Sequence, residues 1–258
     1  MPGPKNLLET IEDGAARGER IAIVRALDPG SGNCATVTVS HGELFPPLAD
    51  RRLADQVLAA VESLAARGGV ADLVDALGEQ GSPVTLAVEI VKPKLELLIF
   101  GAGHVGQAVA LIGAMIGYDI TVVDDREEFA SRKRLPDSRI SLLVSDYASA
   151  TGKLTISSGT VVVIVTRGHQ YDELCLKSVV GSSAAYIGMI GSRRRVLSVF
   201  KKLAGEGVSE PHLQRVHAPI GLRIGAKSPQ EIAVSILAEV IDHVNNPEQE
   251  HKGERNGI

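Results

Sequence analysis

Apolar and polar positions follow two different rhythms along this chain. Up to Lys92 the pattern keeps changing period. Lys5–Arg17 sets Leu7, Leu8 and Ile11 on one face and predicts a short helix. Arg20–Leu27 reads as a strand, and Asp28–Asn33 as a turn-rich loop. Ala35–Ser40 alternates as a second strand, and Glu43–Phe45 resumes after a His41-Gly42 turn. Leu48–Ala66 carries Leu53, Val57, Leu58, Val61 and Leu64 at helical spacing, ended by Arg67-Gly68-Gly69. Val70–Leu77 has the same spacing and predicts a further helical piece. Ser82–Val91 is a strand, and Lys92-Pro93-Lys94 marks a joint. Residues 1–92 thus predict a small α+β domain.

From Leu95 onward the rhythm is regular: short apolar runs alternate with helical segments, the pattern of a parallel sheet with crossover helices. The runs are Leu95–Phe100, Ile120–Val123, Arg139–Ser145, Thr160–Thr166 and Ala184–Met189. Thr160–Thr166 is almost wholly apolar and is expected at the centre. Ser228-Pro229-Gln230-Glu231 matches a capping box and starts a last helix with Ile232, Ile236, Leu237, Val240, Ile241 and Val244 on one face. The expected class is α/β: a C-terminal Rossmann-like parallel-sheet domain over residues 93–246, preceded by the smaller α+β domain, with residues 247–258 a polar tail.

The first apolar run ends in Gly101-Ala102-Gly103-His104-Val105-Gly106, which is G-x-G-x-x-G between a strand and a helix. The first glycine permits the turn, the second lets a phosphate approach the backbone, and the third lets helix and strand pack closely. Free N–H groups at the helix start favour an anion. Asp124 closes the next strand, near the offset of a ribose-binding acid, although the neighbouring Arg126 would suit a 2′-phosphate instead.

Charge and composition narrow the classes. A net charge of -4 with no basic tail gives a general nucleic-acid role no electrostatic support. Aromatic residues at 3% argue against a stacking platform for single strands. Two cysteines, Cys34 and Cys175, build neither a disulfide framework nor a Cys-rich zinc site. With no secretory apolar stretch and no membrane-length run, the expectation is a cytoplasmic protein with no membrane partner.

In an open parallel sheet, ligands bind beyond the carboxyl ends of the strands. The unusual segments fall there: Gly101–Gly106, Asp124, Thr166-Arg167-Gly168-His169 with Asp172, and Gly191-Ser192-Arg193-Arg194. His217–Gly225, including Gly221, comes late enough to border the same crevice. Gly191-Ser192-Arg193 opens a helix and resembles a second anion site, with Arg193 and Arg194 the arginines expected to face it. His104, His169, His217 and Asp172 match no compact metal spacing, so contacts to a phosphate or heterocycle are expected rather than a protein-held metal. No nucleophile-and-base pair stands out, and no catalytic residue is assigned.

These motifs together, with Tyr186–Arg194 and His217–Ala226, closely resemble the XdhC/CoxI family of xanthine dehydrogenase accessory proteins. The resemblance implies a protein that binds molybdenum cofactor, as molybdopterin or its dinucleotide form, and aids its maturation and insertion into xanthine dehydrogenase or another molybdenum hydroxylase. It also implies a cysteine desulfurase as a further partner, and a homodimer. The phosphates would lie on the glycine turn, Ser192 and Arg193; His104, His169 and His217 would meet the ring system or the metal's ligands. The N-terminal half departs from the family's pattern. Where many members carry a G-G-C turn, this chain reads Gly42-Glu43-Leu44-Phe45-Pro46-Pro47-Leu48-Ala49-Asp50. The residues leave two alternatives open: an NAD(P)-binding oxidoreductase and a nucleotide-sensing regulator.

Overall fold

A computed structural model describes residues 21–27, 34–40, 42–67, 69–78, 81–91 and 95–245, with positions 11 and 14 besides. The chain divides into two compact units, Met1–Pro93 and Lys94–Ile258. The expected helix over Lys5–Arg17, the Asp28–Asn33 loop and the tail from residue 247 lie outside the described residues.

The first unit is an antiparallel sheet in the order β3-β2-β1-β5-β4, formed by β1 (Ile21–Leu27), β2 (Cys34–Ser40), β3 (Glu43–Phe45), β4 (Ala71–Leu77) and β5 (Pro83–Val91). Helix α1 (Arg51–Ala66) starts at Asp50, whose carboxylate accepts hydrogen bonds from Arg52 N at 2.9 Å and Leu53 N at 3.2 Å. It buries Val57, Ala60 and Leu64 in a core with Val24, Val37, Leu86 and Val88. Each such Val or Leu contributes about 1.5–3 kcal/mol.

Val70–Leu77 corrects the helical reading. Residues Ala71–Leu77 form a strand paired antiparallel with β5, Leu73 opposite Ala87 and Leu77 opposite Pro83. The apolar set at helical spacing does not form a buried face: Val70 is 56% and Leu73 69% exposed, while Ala76 is buried. Pairing with β5 and α1 decides the conformation, because strand preference depends on the neighbours available. Gln56 of α1 fastens the end of this strand, its amide donating to Leu77 O at 2.8 Å and accepting from Leu77 N at 2.9 Å.

The second unit is the expected parallel sheet. Its strands are β6 (Glu96–Phe100), β7 (Asp119–Asp124), β8 (Ile140–Val144), β9 (Thr160–Ile164), β10 (Tyr186–Met189) and β11 (Val216–His217), in the order β11-β10-β9-β6-β7-β8. All five pairings are parallel. The helices are α2 (His104–Met115), α3 (Tyr147–Ala150), α4 (His169–Val179), α5 (Arg193–Gly205), α6 (Glu210–Gln214) and α7 (Pro229–Asn245). The strands are apolar throughout because both faces are covered. On one face Leu97 and Ile99 pack with Val109 and Ala110 of α2 and Ile236 and Val240 of α7. On the other, Leu98 and Phe100 pack with Leu176 of α4 and Val199 of α5. β9 is buried along its whole length, as its composition predicts.

This strand order places a topological switch between β6 and β9. The chain winds outward from β6 through β7 to β8, then returns and winds the other way through β9, β10 and β11. The loops after β6 and β9 therefore diverge and leave a crevice at the carboxyl edge.

Candidate functional site

The glycine turn at the end of β6 is shaped by close approach. Gly101 has φ +111°, and a Cβ there would meet Val165 O at 2.6 Å; one at Gly106 would meet Gly101 O at 1.8 Å. Both positions require glycine. Gly103 differs: a Cβ there would meet nothing within 4 Å. It is the residue before α2, and no side chain caps that helix. The first-turn N–H groups of α2, at His104, Val105 and Gly106, have no intrahelical acceptors and carry the positive end of the helix dipole. His104 is exposed at this opening.

Asp124, at the end of β7, is fully buried, and its carboxylate faces inward. Oδ2 accepts from Ala102 N at 2.7 Å and Arg126 Nη2 at 3.0 Å; Oδ1 accepts from Arg126 N at 3.1 Å and Nε at 2.9 Å. Burial alone would raise its pKa, but the hydrogen bonds from Arg126 and Ala102 prevail and hold it below the ordinary value. Asp124 therefore ties the glycine turn to Arg126. It is not the free ribose acceptor that its position suggests. Next to it, Asp125 accepts from Arg167 Nη2 at 2.8 Å, so a side chain from the loop after β9 reaches the loop after β7. Beneath lies the Tyr147 hydroxyl, pushed well up by burial and by the charges of Asp124 and Asp125.

A second buried carboxylate organises the other flank. Asp172, in the first turn of α4, accepts from the Thr166 hydroxyl and from Arg195 Nη2. Here burial prevails over both partners, and the carboxyl lies above its ordinary value. The arginine involved is the third of the triplet. Arg193 and Arg194 are exposed, and Arg195 reaches inward to Asp172. Which of three consecutive arginines turns inward depends on how α5 rolls against α4, and no sequence signal carries that. Ser192 caps α5 by accepting from Arg195 N at 3.3 Å. The His169 side chain lies outside the described residues.

His217 stands at the far end of the sheet. It is buried, with Nδ1 2.7 Å from Glu239 Oε1, and its ring lies 4.4 Å from that of Tyr186 and 4.7 Å from that of His243. Glu239 also accepts from Gly221 N. Gly221 has φ +100°, and a Cβ there would meet Ser235 Oγ at 2.4 Å. Burial would raise the Glu239 carboxyl, but His217 and the Gly221 N–H bring it below its usual value. Sequence reading missed Glu239; its only signal was an acid on the rim of the α7 apolar stripe, one residue before Val240.

The expected site residues thus divide into two sets. Gly103, His104 and Val105 of the turn, with Arg167, Ser192, Arg193 and Arg194, lie on loops and helix starts at the carboxyl edge, with surface to offer. Asp124, Thr166, Asp172, His217 and the Gly221 N–H have their polar atoms bonded within the protein and shape the loops that carry the first set. Among the described residues no group of three or more His, Cys, Asp or Glu side chains is arranged to hold a metal ion, and no helix is long and apolar enough to cross a membrane.

The strand order, the switch point and the glycine turn define a doubly wound, Rossmann-like domain. Comparison with known proteins makes this particular: residues 97–240 match the XdhC Rossmann domain, and the chain belongs to that family. It is 35% identical over 173 residues to the uncharacterized protein YqeB of Escherichia coli K12, covering 67% of this chain and 32% of that protein. It is 28% identical over 154 residues to a probable xanthine dehydrogenase subunit of Bacillus subtilis 168, covering 60% and 44%. To the molybdenum cofactor insertion chaperone PaoD of Escherichia coli K12 it is 24% identical over 149 residues, covering 58% and 40%. The match thus spans less than half the length of each of these relatives. A crystal structure of a xanthine dehydrogenase from Bacillus halodurans shares the fold, with TM-score 0.69 and 22% identity over 96% of this chain and 69% of that one.

Proposed function

We propose that this chain is an accessory factor that receives molybdenum cofactor at the carboxyl-edge crevice, guards it during maturation and hands it to a molybdenum hydroxylase. The observation that carries the reading is the α2 start: a tight glycine turn, an open position at Gly103 and a helix N-terminus that no side chain caps. In a member of the XdhC family, that cradle suits the phosphate of a pterin cofactor. His104 stands beside it as a polar contact for the ring system or the metal's ligands. Arg167, Arg193 and Arg194 supply cations around the mouth. The bound group would bring the molybdenum chemistry, which the recipient enzyme uses. This chain's residues bind and orient the group and shield it from water.

The test is to purify the protein from a host that makes the cofactor, release what copurifies and identify it by mass spectrometry alongside molybdenum analysis. A pterin present in substantial stoichiometry, and activation of an apo molybdenum hydroxylase by the loaded protein, are the expected results. A folded sample with neither pterin nor activating power would overturn the proposal.

A further inference from the structure

Asp124 holds the place at which a dinucleotide fold receives a ribose diol: the carboxyl end of the strand after the glycine turn. A carboxylate has about four lone-pair positions, and here four donors are directed at them. Two come from the backbone, Ala102 N and Arg126 N, and two from the Arg126 guanidinium, through Nε and Nη2. A ribose hydroxyl approaching Asp124 would find no acceptor position left.

The guanidinium is held from three sides. Asp124 grips it through two nitrogens, the Phe129 ring lies 3.5 Å from its central carbon, and Asp125 Oδ1 stands 3.8 Å from Nε. A second cation, Arg134, lies 4.1 Å from the same ring. Moving Arg126 to admit a diol would strip a fully buried carboxylate of both its charged donors and give up the cation–π contact.

We infer that Arg126 is a built-in plug of the ribose subsite, so that the crevice takes a ligand anchored by phosphate on the glycine turn and presenting no ribose diol to Asp124. The inference deepens the reading above, resting on the crevice as the ligand site. It names the class of ligand refused, NAD-like dinucleotides, and the residue that refuses them. Arg126 acts here as a specificity residue occupying the position of a ligand group.

The test uses nucleotides and protein free of pterin, so its result is independent of whether molybdenum cofactor binds. The full chain and its Arg126→Met variant are titrated calorimetrically with ADP-ribose, NAD and NADP. In Arg126→Met, Asp124 keeps both backbone donors and the stem over Phe129, but two lone pairs become free. ADP-ribose and NAD should bind the variant at least tenfold more tightly than the native protein. Arg126→Lys, which keeps a cation beside Asp124 but replaces the two-nitrogen fork with a single nitrogen, should gain in the same direction and decides the matter should the Met variant fail to fold. Equal affinity in native and folded variant proteins would overturn the inference. So would native protein that prefers NADP to NAD, because Arg126 would then be leaving Asp124 to meet the ligand.

Discussion

Helix α2 and helix α5 start at the same level of the parallel sheet, each just after a glycine at the end of a buried strand. In sequence both look like anion cradles. In the structure their starts differ. α2 begins at Gly103 with no capping side chain, whereas α5 begins at Ser192, which accepts the Arg195 N–H. The glycines differ as well. Gly106 is pressed against Gly101 O, but a Cβ at Gly191 would sit 3.4 Å from the Arg195 side chain, an ordinary contact. One start is a tight frame with its donors left open, and the other closes on itself. A helix N-terminus becomes a candidate site only where the chain withholds its own cap.

Four measurements would break or sharpen this contrast. The largest effect is expected at the frame. Gly106→Ala drives a methyl into a backbone oxygen and should cost more than about 3 kcal/mol in denaturant unfolding, whereas Gly191→Ala should cost under about 1 kcal/mol; similar values would erase the distinction. Next, Gly103→Ser gives α2 the cap that α5 has. It should change stability by only a few tenths of a kcal/mol and weaken retention of the copurifying ligand about tenfold, a loss near 1.4 kcal/mol. A variant that keeps its ligand would remove the turn from the site. The converse change, Ser192→Ala, should lower stability by about 1 kcal/mol and leave ligand retention within twofold.

The smallest effect is a difference in titration between the two flanks. Asp124 is held below the ordinary aspartate value and Asp172 above it. The signs oppose. Asp124 contributes stability that is present above its unfolded pKa and lost as pH falls through its folded value. Asp172 contributes stability that is complete below its unfolded pKa and lost as pH rises through its folded value. Carbon-detected NMR of the side-chain carboxyls should show Asp172 titrating at higher pH than Asp124; the reverse order would dissolve the contrast between a flank where hydrogen bonds prevail and one where burial does.

Local features were legible in sequence. The G-x-G-x-x-G turn between strand and helix is one. The Ser228 capping box is another: Glu231 accepts from Lys227 N and Ser228 N while Ser228 Oγ accepts from Glu231 N. The apolar runs of β6, β9 and β10 follow from burial on both sheet faces. What escaped depends on partners far along the chain. Val70, Leu73, Val74 and Leu77 fit a helix by spacing, yet β5 claims Ala71–Leu77 as a strand. Arg195 meets Asp172 across 23 positions, and Glu239 meets His217 across 22. Asp124 was found by position, but its role changed because Arg126, two residues on, had already taken its acceptors.

The bond between Glu239 and Gly221 also sets an order of events during synthesis. The loop after β11 is fixed by a carboxylate 18 residues further along, on the last described helix. As the chain leaves the ribosome, β6 through β10 and the glycine turn emerge well before residue 239. A nascent chain can therefore contain the whole glycine turn while the loop after β11 still lacks its clamp. The carboxyl edge is therefore completed from the glycine turn outward, with the loop after β11 fixed last.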